Sequence, residues 1–241
     1  MNDDTQQREA FEKELVWEYF GRKRDGYFIE VGANDPRGGS QTWLLEQQGW
    51  RGILVEPQAA LYQKLVAARP RSRVHQAACG APDKCGLATL HVASQDGFST
   101  LQPQADSHGI NFVGNETVQV VTLDSLIETE GNPRIDFVSI DVEGAELEVL
   151  RGFSLERHRP ELVLIEDGVR NLDKHHAMTA HGYKLVKRTV LNNWYVPRET
   201  RFTLTTWGER LELFRKMYLA RPIRQWRLGM RRRRAARNVS K

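Results

Sequence analysis

The sequence predicts an α/β fold: a doubly wound, mostly parallel sheet with helices on both faces, carrying a β-ribbon insertion and a basic C-terminal helix and tail. Three observations lead there. Strand-like apolar runs at residues 27–31, 52–57 and 73–78 alternate with helix-like stretches at 40–48 and 59–68, the rhythm of parallel strands joined by right-handed crossovers. That rhythm returns at 134–141 and 161–167. Several of these runs close on a carboxylate, and the first leads into a glycine-bearing turn, the place where open α/β sheets hold their ligands.

The 241 residues suffice for one sizeable core, and 40% hydrophobic with 27% charged content is ordinary for a globular protein. No run is long and apolar enough for a membrane-spanning helix, and the polar start of the chain has no signal-like core, so a cytoplasmic protein is expected. Cys79 and Cys85 are too few for a disulfide framework or a four-ligand zinc site and read as small reduced residues. Charge is uneven. Nine of the 35 basic residues fall within 221–241, which has no acid, so residues 1–220 carry 26 basic against 31 acidic groups.

Taken in order, residues 1–25 form an N-terminal helix, with Phe11, Leu15 and Tyr19 at i, i+4 and i+8 as its inward face. Residues 26–206 form the main domain. After the first strand, Ser40 caps a helix over 40–48 that Gly49 stops. A strand at 52–57, a helix at 59–68 and a single strand at 73–78 follow. Residues 86–92 and 117–123 read as a β-ribbon, and the polar stretch between them, 93–116, as a mobile loop that shapes a site. A short helix after Asp124, a strand at 134–141 and a helix over 143–151 restore the alternation. A strand at 161–167, a helix over 172–180 and a strand at 183–189 come next, and 194–196 with 202–204 close the sheet as an antiparallel pair. From 207 to 241 the pattern is helical, then basic.

Glu30, Glu56, Asp141 and Glu166-Asp167 stand at or near strand ends that should converge on one crevice. Glu56 follows Gly32 by 24 residues, at the end of the second strand, where a carboxylate accepts hydrogen bonds from ribose hydroxyls. The turn after Gly32 lacks the Gly-x-Gly-x-x-Gly of a dinucleotide site, and Asp35 would lie beside any phosphate. Glu30 and Asp35 suit a cofactor with a cationic end. S-adenosylmethionine, with an ammonium and a sulfonium and no phosphate, fits on charge.

Phe28-Ile29-Glu30-Val31-Gly32-Ala33-Asn34-Asp35, Leu54-Val55-Glu56-Pro57, residues 121–126 and residues 135–146, in that order and spacing, resemble the FkbM family of S-adenosylmethionine-dependent methyltransferases over about residues 26–189. The resemblance implies a Rossmann-like domain that methylates hydroxyl oxygens, often on sugars of glycans or secondary metabolites. It implies that Glu30, Gly32 and Asn34 lie along the methionine part of the cofactor, that Glu56 holds the ribose, that the backbone around Ala77 and Ala78 flanks the adenine, and that Asp141 sits beside the sulfonium. Ala33, Ser40 and Pro57 are also expected among the cofactor-binding residues. The rival readings are an NAD(P)-dependent oxidoreductase and a non-catalytic Rossmann-like module.

A hydroxyl acceptor benefits from a general base, for which Asp141, Glu143, Glu166 and His108 are the candidates. Asp141 and Glu143 also suit roles as cofactor ligand and helix-start acid, and His108 also reads as a solvated loop residue. Asp141, Glu143 and Glu166 could form an oxygen site for Mg²⁺, but their spacing does not demand one and metal independence is expected. His175-His176 reads as a polar helix face. Expected partners are a small-molecule or glycan acceptor. The tail from Arg221 to Lys241 has three readings: a solvated tail, peripheral attraction to an anionic membrane at its inner face, and, third for want of stacking aromatics, nucleic-acid binding.

Overall fold

The computed structural model describes residues 3–94, 98–101, 111–168, 171–189, 191–219 and 230. Ten strands are present among them: β1 (Tyr27–Val31), β2 (Arg51–Val55), β3 (Ser72–His75), β4 (Ala78–Cys79), β5 (Gly86–Ala93), β6 (Phe112–Val121), β7 (Phe137–Ile140), β8 (Leu162–Glu166), β9 (Tyr183–Thr189) and β10 (Asn192–Pro197). The helices are α1 (Asp3–Tyr19), α2 (Trp43–Gln47), α3 (Ala59–Ala68), α4 (Leu123–Thr129), α5 (Glu146–Arg151), α6 (Leu155–His158), α7 (Asp173–Ala180) and α8 (Trp207–Phe214). The main sheet has the order β3-β2-β1-β7-β8-β10-β9. Its first five strands are parallel, and β10 runs antiparallel between β8 and β9.

Strand periodicity builds two apolar layers. Ile29, Val31, Ile53, Val55, Val138, Ile140, Val163 and Ile165 face α4, α5 and α7 through Ile127, Val149, Leu150 and Met178. Phe28, Leu54, Phe137, Leu162, Leu164 and Trp194 face the other way, toward Leu15, Val16, Phe20, Leu45 and Leu65 of α1, α2 and α3 and the loop residue Trp50. Alternation puts Glu30 on the same face as Phe28. The ribbon forms a second sheet, β4-β6-β5, with β5 antiparallel to β6.

Several boundaries differ from the sequence reading. Leu15 is buried and Tyr19 packs against the core as expected, but Phe11 is 61% exposed, because the buried seam of α1 turns toward Glu12 and Val16 and continues to Phe20 just beyond the helix. The run 73–78 divides: β3 stays in the main sheet, while β4 leaves to pair with β6. Helix α2 begins at Trp43 rather than Ser40, although Ser40 Oγ still accepts from the Thr42 and Trp43 amides (3.3 and 3.2 Å). Helix α5 begins at Glu146 because Glu143 and Gly144 have φ of 52° and 105°, outside the helical region. The antiparallel pair is β9–β10, and residues 202–204 form no strand. The basic tail at 221–241, Met230 apart, and His108 lie outside the described residues.

Candidate active site

A cavity of about 530 Å³ opens beyond the carboxyl ends of β1, β2, β7 and β8. Glu30, Gly32, Ala33, Asn34, Glu56, Pro57, Ala77, Ala78, Asp141, Glu143 and Glu166 all line it. The acids predicted to converge do so, except Asp167, which is buried beside the cavity and accepts from Asn193 Nδ2 at 3.0 Å.

The turn after β1 is held from below. Gly32 and Ala33 donate to Val55 O (2.9 and 3.1 Å) and Asn34 N donates to Glu56 Oε2 (2.9 Å). Gly32 has φ 82°, and a Cβ added there would lie 1.7 Å from Asp141 O. The glycine is therefore demanded by the neighbouring strand end, not only by a ligand. Asn34 is also left-handed, at φ 49°, and its Oδ1 is buried without a hydrogen-bond partner. An unmet acceptor in a cavity wall is a place for a ligand donor.

Two residues proposed for the cofactor stand elsewhere. Ser40 is absent from the cavity wall and lies behind Glu30, to which its hydroxyl donates at 2.8 Å. Asp35 is also off the wall, where its Oδ1 accepts from Arg37 N and Gly38 N at 2.9 and 2.7 Å and shapes its own turn. Glu30 lines the cavity, yet its carboxylate already accepts from Ser40 Oγ, Thr42 Oγ1 (2.5 Å) and Gln41 N (2.6 Å). Arg69, fully buried, completes this knot: its guanidinium reaches Glu46 at 2.6 Å, Thr42 Oγ1 at 2.8 Å and Glu30 at 4.0 Å. Glu30 and Arg69 thus fix the entry into α2. Nothing in the local pattern marked Arg69, because it closes α3 far along the chain from its partners.

Glu56 is differently placed. Its Oε1 accepts from Gln58 N and its Oε2 from Asn34 N, both at 2.9 Å, leaving each oxygen capacity for a further donor. Burial pushes its carboxyl above the usual range despite those two bonds. Ala77, Ala78, Cys79, Leu61 and Leu90 supply the cavity's apolar wall, suited to a purine face.

At the end of β7, Asp141, Glu143 and Glu166 bring carboxylate oxygens within 4.8 Å of one another. Asp141 has open surface, but that surface is the cavity's, enclosed by protein. Desolvation first, then repulsion from Glu166, Glu143 and Glu146, raises its pKa well above the usual value, and it shares a hydrogen bond with Glu166, itself raised. Glu143 is pushed up to about 7 by burial and by Glu166 and Glu146. Lys174 is the counter-charge, 3.0 Å from Glu146 and 3.5 Å from Asp167. Among the described residues this cation does not balance Asp141, Glu143, Glu146 and Glu166, and such a site favours a cationic ligand.

The remaining wall was not foreseen residue by residue. Phe98, Ser99, Thr100 and Leu101, the described part of the 93–116 loop within its gap, line the cavity, and Thr100 Oγ1 donates to Glu143 O at 3.1 Å. Glu9, Gln41, Leu191 and Asn192 line it too. Buried Glu12 joins them by accepting from Gln41 Nε2 (3.0 Å) and Asn192 Nδ2 (2.9 Å). Polar residues on a helix and a strand start carry no sequence signal of meeting at a cavity.

A mostly parallel α/β sheet with an acid-lined cavity at its carboxyl edge suits a methyltransferase that uses S-adenosylmethionine. The chain belongs to the FkbM methyltransferase family, whose domain matches residues 30–185. A curated relative, the hexuronic acid methyltransferase AglP of Haloferax volcanii, is 33% identical over 79 residues, 31% of this chain and 33% of that protein, so the chain spans about a third of the relative it matches. Among solved structures, a TehB-like SAM-dependent methyltransferase from Corynebacterium glutamicum is 10% identical with a TM-score of 0.44, covering 78% of this chain and 87% of that one. TrmK of M. capricolum, in complex with S-adenosyl-homocysteine, is 10% identical with a TM-score of 0.42, covering 83% and 71%.

Proposed function

We propose that the enzyme methylates a hydroxyl oxygen of a carbohydrate, within a glycan or a glycosylated metabolite. The observation that carries this reading is the Asp141, Glu143 and Glu166 cluster, where burial and the neighbouring acids push Glu143 up to about 7. A base poised near neutrality can take the hydroxyl proton as the new C–O bond forms, an effect worth about 10²–10⁴ in rate. Glu143 holds a left-handed φ of 52°, a backbone conformation that a glutamate keeps only when its surroundings require it.

Bound S-adenosylmethionine supplies a methyl group on a sulfonium that leaves without acid assistance. The chain's residues do the rest. Glu56 and the Asn34 turn hold the ribose side, and the acids around Asp141 offset the cofactor's positive charge. Residues 98–101 cover the site and keep water from competing for the methyl group. Ser99, Thr100, Gln41 and Asn192 offer hydroxyl and amide groups to a polyhydroxylated acceptor. The hexuronic acid specificity of AglP supports a sugar substrate.

The test is incubation with methyl-labelled S-adenosylmethionine and a panel of sugars, sugar acids and glycans. Label in an alkali-stable ether on a sugar hydroxyl is the expected result, lost with Glu143→Gln. Label released as methanol by mild alkali would identify a carboxyl acceptor and overturn the hydroxyl reading.

A further inference from the structure

We propose that the outer face of α8, with the groove between α8 and β9, docks the enzyme on an anionic lipid bilayer. Trp207, Leu211, Phe214 and Tyr218 follow one another at i, i+4, i+7 and i+11, and they are 85%, 71%, 53% and 46% exposed. The spacing puts them on one stripe. The adjoining side of the same segment packs inward, through Leu213 and Met217 against Leu172 and Leu185, and the partly exposed Tyr218 also meets His175 Nε2 with its hydroxyl at 3.2 Å. A segment that has met its core and still presents three aromatics and a leucine to solvent has an apolar face to spare.

The helix is held where it is. Thr206 and Glu209 form a capping box, and Lys187 of β9 reaches Glu209 at 2.5 Å. Beneath it lies a second cavity of about 520 Å³, apart from the methyl-transfer site, walled by Phe202, Leu213 and Met217 among others. Lys184, Arg198 and Arg210 stand at this cavity with no carboxylate within ion-pair distance among the described residues, although Lys184 lowers the Glu199 pKa and the Arg210 guanidinium lies over the Trp207 ring at 5.4 Å. An apolar floor with three cations beside it suits an anionic amphiphile, the acyl region meeting the floor and the headgroup the cations.

Charge selects the occupant. The sequence beyond α8 carries nine Arg/Lys and no acid over residues 221–241. A second copy docked through the same face would bring two such segments together, which repulsion opposes. Nucleic acid would satisfy the charge but leave Leu211 and the apolar floor unused. An anionic bilayer answers both, its headgroups the charge and its acyl boundary the stripe. This inference does not depend on the identity of the methyl acceptor.

The experiment is co-sedimentation of the full chain with extruded vesicles of phosphatidylcholine alone and with about 30% phosphatidylglycerol. Binding is expected only to the anionic vesicles, falling at least about tenfold between 0.1 and 0.5 M salt. The double variant Trp207→Ser/Phe214→Ser should lower the partition coefficient by about tenfold or more while leaving the S-adenosylhomocysteine thermal shift unchanged, which reports an intact fold. Recovery of the wild-type chain in the supernatant at low salt would overturn the proposal. So would undiminished binding by the variant, a dimer in sedimentation equilibrium that the variant dissolves, or displacement from vesicles by an equal charge of RNA.

Discussion

The acid cluster makes the affinity for S-adenosylmethionine depend on pH. Asp141, Glu143 and Glu166 hold protons more tightly than they would in water, because burial and mutual repulsion disfavour three charges in one place. A cationic ligand reverses that preference, so binding should expel protons and the dissociation constant should fall as pH rises. With Glu143 at about 7, the ionised fraction goes from about a tenth at pH 6 to about nine tenths at pH 8, a gain of about tenfold in affinity from this residue alone. Titration calorimetry in buffers of unlike ionisation heat at pH 7 reads the proton count directly, with about half a proton expected from Glu143. S-adenosylhomocysteine has no sulfonium and should show a shallower dependence. Glu143→Gln should remove its tenfold share. The folded ligand-free protein binds more protons than the unfolded chain between the ordinary glutamate range and about 7, so its stability should fall as pH rises through that window. Buffer-independent heats and a flat affinity from pH 6 to 8 would refute the reasoning.

Further outcomes follow from single contacts. Glu56→Gln should weaken S-adenosylhomocysteine by about 1.5–3 kcal/mol, the worth of hydrogen bonds to a charged acceptor, and an unchanged thermal shift would remove Glu56 from the ribose site. Gly32→Ala should cost at least about 1–2 kcal/mol in backbone strain before the clash with Asp141 O is relieved, seen as a lower Tm together with loss of cofactor binding. Arg69→Ala should cost about 3–5 kcal/mol in denaturant unfolding, because it strands Glu46 and Glu30 without their buried cation, and a smaller loss than about 1 kcal/mol would show that the knot is not structural.

The strands and their order of appearance could be read directly. β1, β2, β7 and β8 announce themselves by apolar runs, and an acid at a strand's carboxyl end is a one-dimensional signal, so Glu56, Asp141 and Glu166 were reachable from spacing alone. Motif order also carried the family. Helix starts were read too early at Ser40 and Glu143, since the left-handed backbone that delays α5 depends on Glu143 meeting the end of β7 and the residues around Thr100.

What the chain by itself determined is which atoms stand at the sheet's edge, because a period of two assigns each residue a face and each strand an end. The tertiary fold alone decided what those atoms do. Glu30 and Glu56 look alike in sequence, each an acid beside a turn. Packing α2 and Arg69 against one engages both Glu30 oxygens in the scaffold, whereas Glu56 spends one bond per oxygen on the backbone and keeps capacity for a ligand. The same holds for Glu143, an ordinary glutamate pushed up to about 7 by burial first and then by Glu166 of β8 and Glu146 of α5. Hydrogen-bond capacity and desolvation are properties of a neighbourhood, and neighbours from distant segments exist only after folding.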